Sequence, residues 1–275
     1  MRIRIIDAFT DRPFAGNPAG VCLLDGDAWP DEAWMRRVAA ELNLSETAFA
    51  HPLADGDWAL RWFTPTVETN LCGHATLATT HALHSDGRAS GPIEYRTRSG
   101  SLIATPQDDG SITLDFPAAP LTEASLPDGL AEALGPGAAK AESAYRTGPL
   151  GDLLVVLPDE GAVRSVEPDF AALTRISVEN DIRGVIVTAP GDPGSAHDVV
   201  SRFFTPASGI LEDPVTGSAH TAVTPYWADR LGRPAFTALQ ASARTGILQV
   251  ALHGDRVHLT GRAITVVDGE LLIAP

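Results

Sequence analysis

Three features of the sequence predict a mixed α/β (α+β) protein made of two similar halves. Its 275 residues correspond to about two domains at roughly 150 residues each. Strand-like apolar runs of period two alternate with stretches of helical period. One pattern of strand, turn, glycine and helix occurs twice in the same order.

Taken along the chain, residues 2–9 (Arg2-Ile3-Arg4-Ile5-Ile6-Asp7-Ala8-Phe9) alternate as a strand does, and 11–20 are turn-rich, with Gly16-Asn17-Pro18-Ala19-Gly20 at their end. A second strand follows at 20–24. Asp31 and Glu32 open a helix whose apolar positions are Trp34, Met35, Val38, Ala39 and Leu42, with acidic residues at the end where the helix dipole favours them. Residues 44–49 and 58–63 read as strands. Residues 74–84 are small or apolar around the whole circumference, so a helix there must be buried on all sides. From 118 to 145 the chain is rich in Ala, Pro and Gly with one short helical piece at 130–134, and reads as a linker or irregular entry to the second half. Further strands are expected at 152–157, 183–188, 199–204, 247–252, 256–260 and 270–274.

In the repeat, Arg61-Trp62-Phe63-Thr64-Pro65 is echoed by Arg202-Phe203-Phe204-Thr205-Pro206, and Cys72-Gly73-His74-Ala75-Thr76 by Thr216-Gly217-Ser218-Ala219-His220. The first pair lies 141 residues apart and the second 144. Each copy delivers a glycine to the start of a buried helix, where unpaired amides and the positive end of the dipole favour an anion such as a carboxylate. If the halves face each other, both helix starts point into one cleft. Pro225 falls inside the second helix, where proline removes a hydrogen bond and costs about 3 kcal/mol unless the helix kinks or breaks.

Composition narrows the function. The formal charge is −15 with no basic run, which excludes nucleic acid and anionic membrane as natural partners. No run of about 18 apolar residues could span a bilayer. Two cysteines, Cys22 and Cys72, make no disulfide framework, and the first residues do not form a signal-peptide core, so the expected compartment is the cytoplasm. His74, His81 and His84 have helix-compatible spacing but no nearby carboxylate to support a zinc site, and the sequence carries no Gly-rich nucleotide loop or serine-hydrolase elbow. Neither a metal nor an organic cofactor is expected.

Three residues stand out as candidate proton carriers. Glu46 is the one carboxylate in the otherwise apolar or small run Leu44-Ser45-Glu46-Thr47-Ala48-Phe49. It is either a satisfied structural residue or a base whose pKa burial raises. Asp213, just before the second helix, is either a cap or a catalytic group. His74, one residue into the first helix, is either a core histidine or a functional one.

Four ordered blocks then carry a resemblance: Phe14-Ala15-Gly16-Asn17-Pro18-Ala19-Gly20, Leu44-Ser45-Glu46-Thr47-Ala48-Phe49, Cys72-Gly73-His74-Ala75-Thr76 and Glu212-Asp213-Pro214-Val215-Thr216-Gly217-Ser218-Ala219. They resemble the signature blocks of the phenazine-biosynthesis isomerase (PhzF-like) family, similar in fold to diaminopimelate epimerase and proline racemase. The resemblance implies two domains, each a barrel-like sheet wrapped round a central helix, with the active site in the cleft between them. The halves would be 1–118, joined by a returning strand at 264–275, and 119–263. It further implies a cofactor-independent isomerase, commonly a homodimer, that moves a proton within a small unsaturated cyclic amino or carboxylic acid in secondary (antibiotic) metabolism. The best-understood members isomerise a dihydro-hydroxyanthranilate. Glu46 would be the general acid/base, with His74 and Asp213 positioning substrate and tuning protons. Ser218 and the amides of Gly73 and Gly217 would hold polar groups of the substrate, and Asn17 and Pro18 would line the cleft. The related racemases use two cysteines at the places of Cys72 and Thr216. A threonine hydroxyl is far too weak an acid for that role, so the two-thiol reading fails and Cys72 is expected to line the cleft with Thr216. The alternatives are an epimerase or double-bond isomerase on another small acid, and a non-catalytic binder of the same fold.

Overall fold

The computed structural model describes residues 1–273, and the contacts of the chain divide it into two units, Met1–Phe116 with Leu259–Pro275, and Pro117–His258. In the first unit, strand Arg2–Ala8 pairs antiparallel with Asn17–Leu23 on one side and with Ala263–Glu270 on the other. Asn17–Leu23 runs parallel to Glu46–Pro52, and a parallel pair needs a crossover, here helix Glu32–Leu42. Asp31 caps that helix by accepting from the Ala33 amide, and Asn43 ends it in the left-handed conformation. Its face of Trp34, Met35, Val38 and Ala39 packs with Cys22, Phe49 and Phe63, the two phenylalanines meeting edge-on at 5.7 Å.

Glu46–Pro52 continues antiparallel into Trp58–Phe63, which pairs with the short strand Glu68–Thr69 and, in parallel, with Ile93–Thr97. The second crossover is helix Gly73–Ser85. It packs on Arg2–Ala8, Asn17–Leu23, Glu46–Pro52, Gly100–Pro106 and Ala263–Glu270, so strands from both ends of the unit wrap it. Its threonines are buried without cost to hydrogen bonding, because Thr76, Thr79 and Thr80 each donate to the carbonyl four residues back.

The second unit repeats this plan. Ser143–Arg146 pairs antiparallel with Thr122–Ala124 and with Leu153–Val156, which runs parallel to Val185–Pro190 across helix Phe170–Glu179. Val185–Pro190 is antiparallel to Val199–Thr205, which pairs with Ile210–Asp213 and, in parallel across helix Gly217–Leu231, with Ala235–Gln240. Both central helices begin at the repeated glycine, Gly73 and Gly217. Even a side-chain contact is repeated in kind: Thr76 Oγ1 donates to the Cys72 carbonyl at 2.6 Å, and His220 Nδ1 to the Thr216 carbonyl at 2.8 Å.

Pro225 neither ends nor interrupts helix Gly217–Leu231. The carbonyl that proline leaves without its usual donor is that of Thr221, and the Ala119 amide donates to it at 3.0 Å. The segment expected to be linker is therefore partly structural. It holds helix Leu130–Leu134 and the two paired strands Thr122–Ala124 and Ser143–Arg146 as well as this contact. The strand expected at 270–274 is corrected: the pairing strand is Ala263–Glu270, residues 271–273 lie outside any strand, and 274–275 lie outside the described residues. The apolar Leu271-Leu272-Ile273 run suggested a strand, but beyond Arg2 and Glu270 only Met1 is left to pair, with Leu271. Among the described residues, no helix is long and apolar enough to cross a membrane.

Candidate active site

In the first unit the parallel register sets Ala19 opposite Glu46, so the starts of strands Asn17–Leu23 and Glu46–Pro52 lie side by side. Gly16, at φ +65°, makes the turn that precedes Asn17, and a Cβ there would meet the Ala8 carbonyl oxygen at 2.1 Å, so only glycine fits. Pro18 follows, opposite Asp7 in the neighbouring strand. Helix Gly73–Ser85 brings Cys72 as its N-cap and His74 as its second residue to the same place.

The resulting group is Asn17, Glu46, Cys72 and His74. The Asn17 amide donates to His74 Nδ1 at 3.1 Å, which places the ring proton on Nε2. Nε2 stands 3.3 Å from Glu46 Oε2. His74 is 3% exposed and burial pushes its pKa down to about 3, so the ring is neutral at physiological pH. Cys72 Sγ lies 3.6 Å from Nδ1 and 4.0 Å from Nε2, but a neutral ring does not supply the positive charge that activates catalytic thiols. Among the described residues, ligand atoms of Glu46, Cys72 and His74 lie within 4.8 Å of one another, which makes them the group able to hold a metal ion. The proton on His74 Nε2 works against that use, because a ligating nitrogen must present its lone pair.

In the second unit, Asp213 ends strand Ile210–Asp213 and Thr216 caps helix Gly217–Leu231. Thr216 does not cap with its side chain; its hydroxyl donates to Asp213 Oδ2 at 2.5 Å. Gln240 ties the corner together. Its amide nitrogen donates to the Asp213 carbonyl at 2.7 Å and to Thr216 Oγ1 at 3.2 Å, and its oxygen accepts from the Thr216 amide at 2.8 Å. Ser218 is the second residue of this helix and accepts from Arg183 at 3.1 Å. In neither central helix does the cap residue turn its side chain onto the first amides. Those amides, at Gly73, His74, Gly217 and Ser218, keep the character of an anion site.

The structure thus gathers Asn17, Cys72, Gly73 and His74 with Glu46, and separately Thr216, Gly217 and Ser218 with Asp213. His81 and His84 turn elsewhere, to Thr265 and to the Gly91 carbonyl, and form no cluster with His74. Sequence reasoning missed Gln240, Arg183 and Asp152. A charge directly before the apolar run Leu153-Leu154-Val155-Val156 was a usable signal for Asp152; a glutamine at a strand end carries no such mark.

Comparison with known proteins identifies the family. The family model described as phenazine biosynthesis-like protein matches residues 6–269. A Pseudomonas aeruginosa protein named an uncharacterized isomerase is 48% identical over 267 residues, 97% of this chain and 96% of that one. A Halalkalibacterium halodurans protein, also named an uncharacterized isomerase, is 44% identical over 274 residues, 98% of each chain. The crystal structure of an Enterococcus faecalis protein of the PhzF family is 40% identical, with a TM-score of 0.90 over 99% of both chains. A hydroxyproline epimerase from Agrobacterium vitis, 15% identical with a TM-score of 0.63 over 98% of this chain and 91% of that one, shares the fold alone. The chain belongs to the phenazine biosynthesis-like (PhzF) family.

Proposed function

We propose that this protein is an isomerase that moves a proton between carbons of a small, unsaturated cyclic amino or carboxylic acid, with Glu46 as the general acid/base and no cofactor. The observation that carries the reading is the contact of Glu46 with a neutral, buried His74 whose ring is set by Asn17. A carboxylate beside a neutral ring can take a proton from carbon. It can return that proton elsewhere on the same face, so one carboxylate suffices for both transfers. Family membership and the isomerase names of the relatives support the reaction class.

In this reading His74, 3.3 Å from Glu46 Oε2, positions the substrate and tunes the proton beside it. Asp213, whose carboxylate and backbone are tied to Thr216 and Gln240, is assigned proton tuning, and Ser218 with the first-turn amides is assigned the polar groups of the substrate. Asn17, Pro18 and Cys72 shape the surroundings of Glu46. A homodimer in the cytoplasm, serving a secondary-metabolite pathway, completes the proposal; a single monomer mass in sedimentation equilibrium at micromolar concentration would count against the dimer. The test of the chemistry is turnover of a dihydro-hydroxyanthranilate and related unsaturated ring amino acids in D2O by wild type and Glu46→Gln. Absence of turnover by wild-type protein across that panel would refute the substrate class.

A further inference from the structure

We infer that Arg183 is a positioning residue, whose guanidinium, gripped by the buried Asp152, holds the Ser218 hydroxyl as a hydrogen-bond donor for the carboxylate of the substrate. The inference rests on the proposed small-acid substrate and adds the group that recognises its anion.

The geometry is built inside the second unit. Asp152 is fully buried and takes a bidentate grip on Arg183, with Nε donating to Oδ1 at 2.8 Å and Nη2 to Oδ2. The same Nη2 donates to Ser218 Oγ at 3.1 Å. A hydroxyl that accepts from a guanidinium points its own proton away from it, so Ser218 is left as a donor. Nη1 carries two further N–H groups, and 38% of the Arg183 side chain is exposed. The backbone is held as firmly as the side chain: Thr205 Oγ1 donates to the Arg183 carbonyl at 2.6 Å, and the guanidinium lies 5.4 Å from the centre of the Phe203 ring. Gly184 is required beside it, since a Cβ there would meet Phe203 Cζ at 2.3 Å.

The duplicated plan gives this cluster a second, independent support. In the first unit Gly20 faces Thr47 and Thr47 faces Phe63; in the second, Leu153 faces Val185 and Val185 faces Phe204. Aligning these registers places Asp152 at the position of Ala19 and Gly184 at that of Glu46, with Arg183 one residue earlier. The second residue of the central helix is His74 in one unit and Ser218 in the other. Gly184 leaves the place of the Glu46 side chain empty in the second unit, and Arg183, at the position of Ser45, reaches Ser218 from beside it. The fork of Arg183 is taken by the Asp152 carboxylate, and its Nη2 turns the Ser218 hydroxyl towards an anion.

The test is fluorescence titration with anthranilate and its neutral isostere anthranilamide. Wild-type protein should prefer anthranilate. Arg183→Met should weaken anthranilate binding by about tenfold while moving anthranilamide by less than about twofold, the contrast expected when a charge-assisted contact is lost. Arg183→Lys, which keeps a cation on Asp152, should fold normally and fall between the two. If Arg183→Met is unstable because Asp152 is stranded, Asp152→Asn/Arg183→Met removes both charges and should show the same loss. In a Ser218→Ala background the effect of Arg183→Met should shrink to about twofold or less, because the residue acts through that hydroxyl. Equal affinity for anthranilate in wild type and in every Arg183 variant overturns the inference alone. Wild-type protein that binds neither compound overturns the carboxylate-substrate reading, and the inference with it.

Discussion

Replacing Glu46 by Gln removes the carboxylate and keeps its size. The structure sets both the expected loss of activity and the expected tolerance of the fold. His74, 3.3 Å from Oε2, is the neighbour that could take over as a base, and burial has pushed its pKa to about 3. Set against the ordinary histidine value of about 6.5, its lone pair is a weaker base by about three orders of magnitude. It cannot replace the carboxylate at neutral pH. Turnover should therefore fall by about two to four orders of magnitude, the range of a general acid/base contribution. Stability should change by no more than about 1 kcal/mol, because a neutral imidazole is left beside a neutral amide and no buried charge is stranded. The assay is NMR of a dihydro-hydroxyanthranilate in D2O, which follows isomerisation and deuterium entry together, with thermal unfolding measured on the same samples. If Glu46→Gln turns over like wild type while Asp213→Asn is inactive, the proton carrier is Asp213 and the argument from His74 fails.

Acid should destabilise the protein through two of its buried histidines, His74 and His220. Their folded pKa values lie at about 3 for His74 and about 4 for His220, below the ordinary 6.5, so the unfolded chain binds protons that the folded chain refuses. Stability held above about pH 6.5 is lost as the pH falls towards 4, and His220→Gln should remove up to about one proton from that slope in urea titrations run across the range. An unchanged slope in His220→Gln would show that the ring is not buried neutral. Pro225→Ala should alter stability by less than about 1 kcal/mol, since the Thr221 carbonyl already has a donor in Ala119; a gain near the full proline penalty of about 3 kcal/mol would refute that compensation. Prolonged treatment with chelator, followed by desalting, should leave activity intact; loss restored by a divalent metal would make Glu46, Cys72 and His74 a metal site.

Much of the local structure was legible in the chain, where a residue's conformation depends on near neighbours. Asp31 capping and the spacing of Trp34, Met35, Val38 and Ala39 are properties of one helix, and the observed helix is Glu32–Leu42. The all-round apolar run after Gly73 could be nothing but a buried helix, and the repeated Gly217 marked its counterpart. Strands Ile93–Thr97, Gly100–Pro106 and Ile112–Pro117 went unread although their buried and open positions alternate, the signal of a half-buried strand. Helix Phe170–Glu179 was missed despite Asp169, which caps it through the Ala171 and Ala172 amides.

By itself, then, the sequence determined the mixed fold class, the duplicated plan and the family, since each is written in contiguous blocks. Tertiary structure alone decided what those blocks do to one another. Asn17, Glu46 and His74 come from three segments, and only the parallel pairing of Asn17–Leu23 with Glu46–Pro52 over the buried helix sets the imidazole between an amide and a carboxylate. The neutrality of His74 follows from burial, which no local pattern encodes. The same holds for Arg183, Asp152 and Ser218, and for the Ala119 amide that makes Pro225 harmless: each contact joins residues 31 or more positions apart, and a one-dimensional pattern carries no record of which distant partner will meet a given charge or carbonyl.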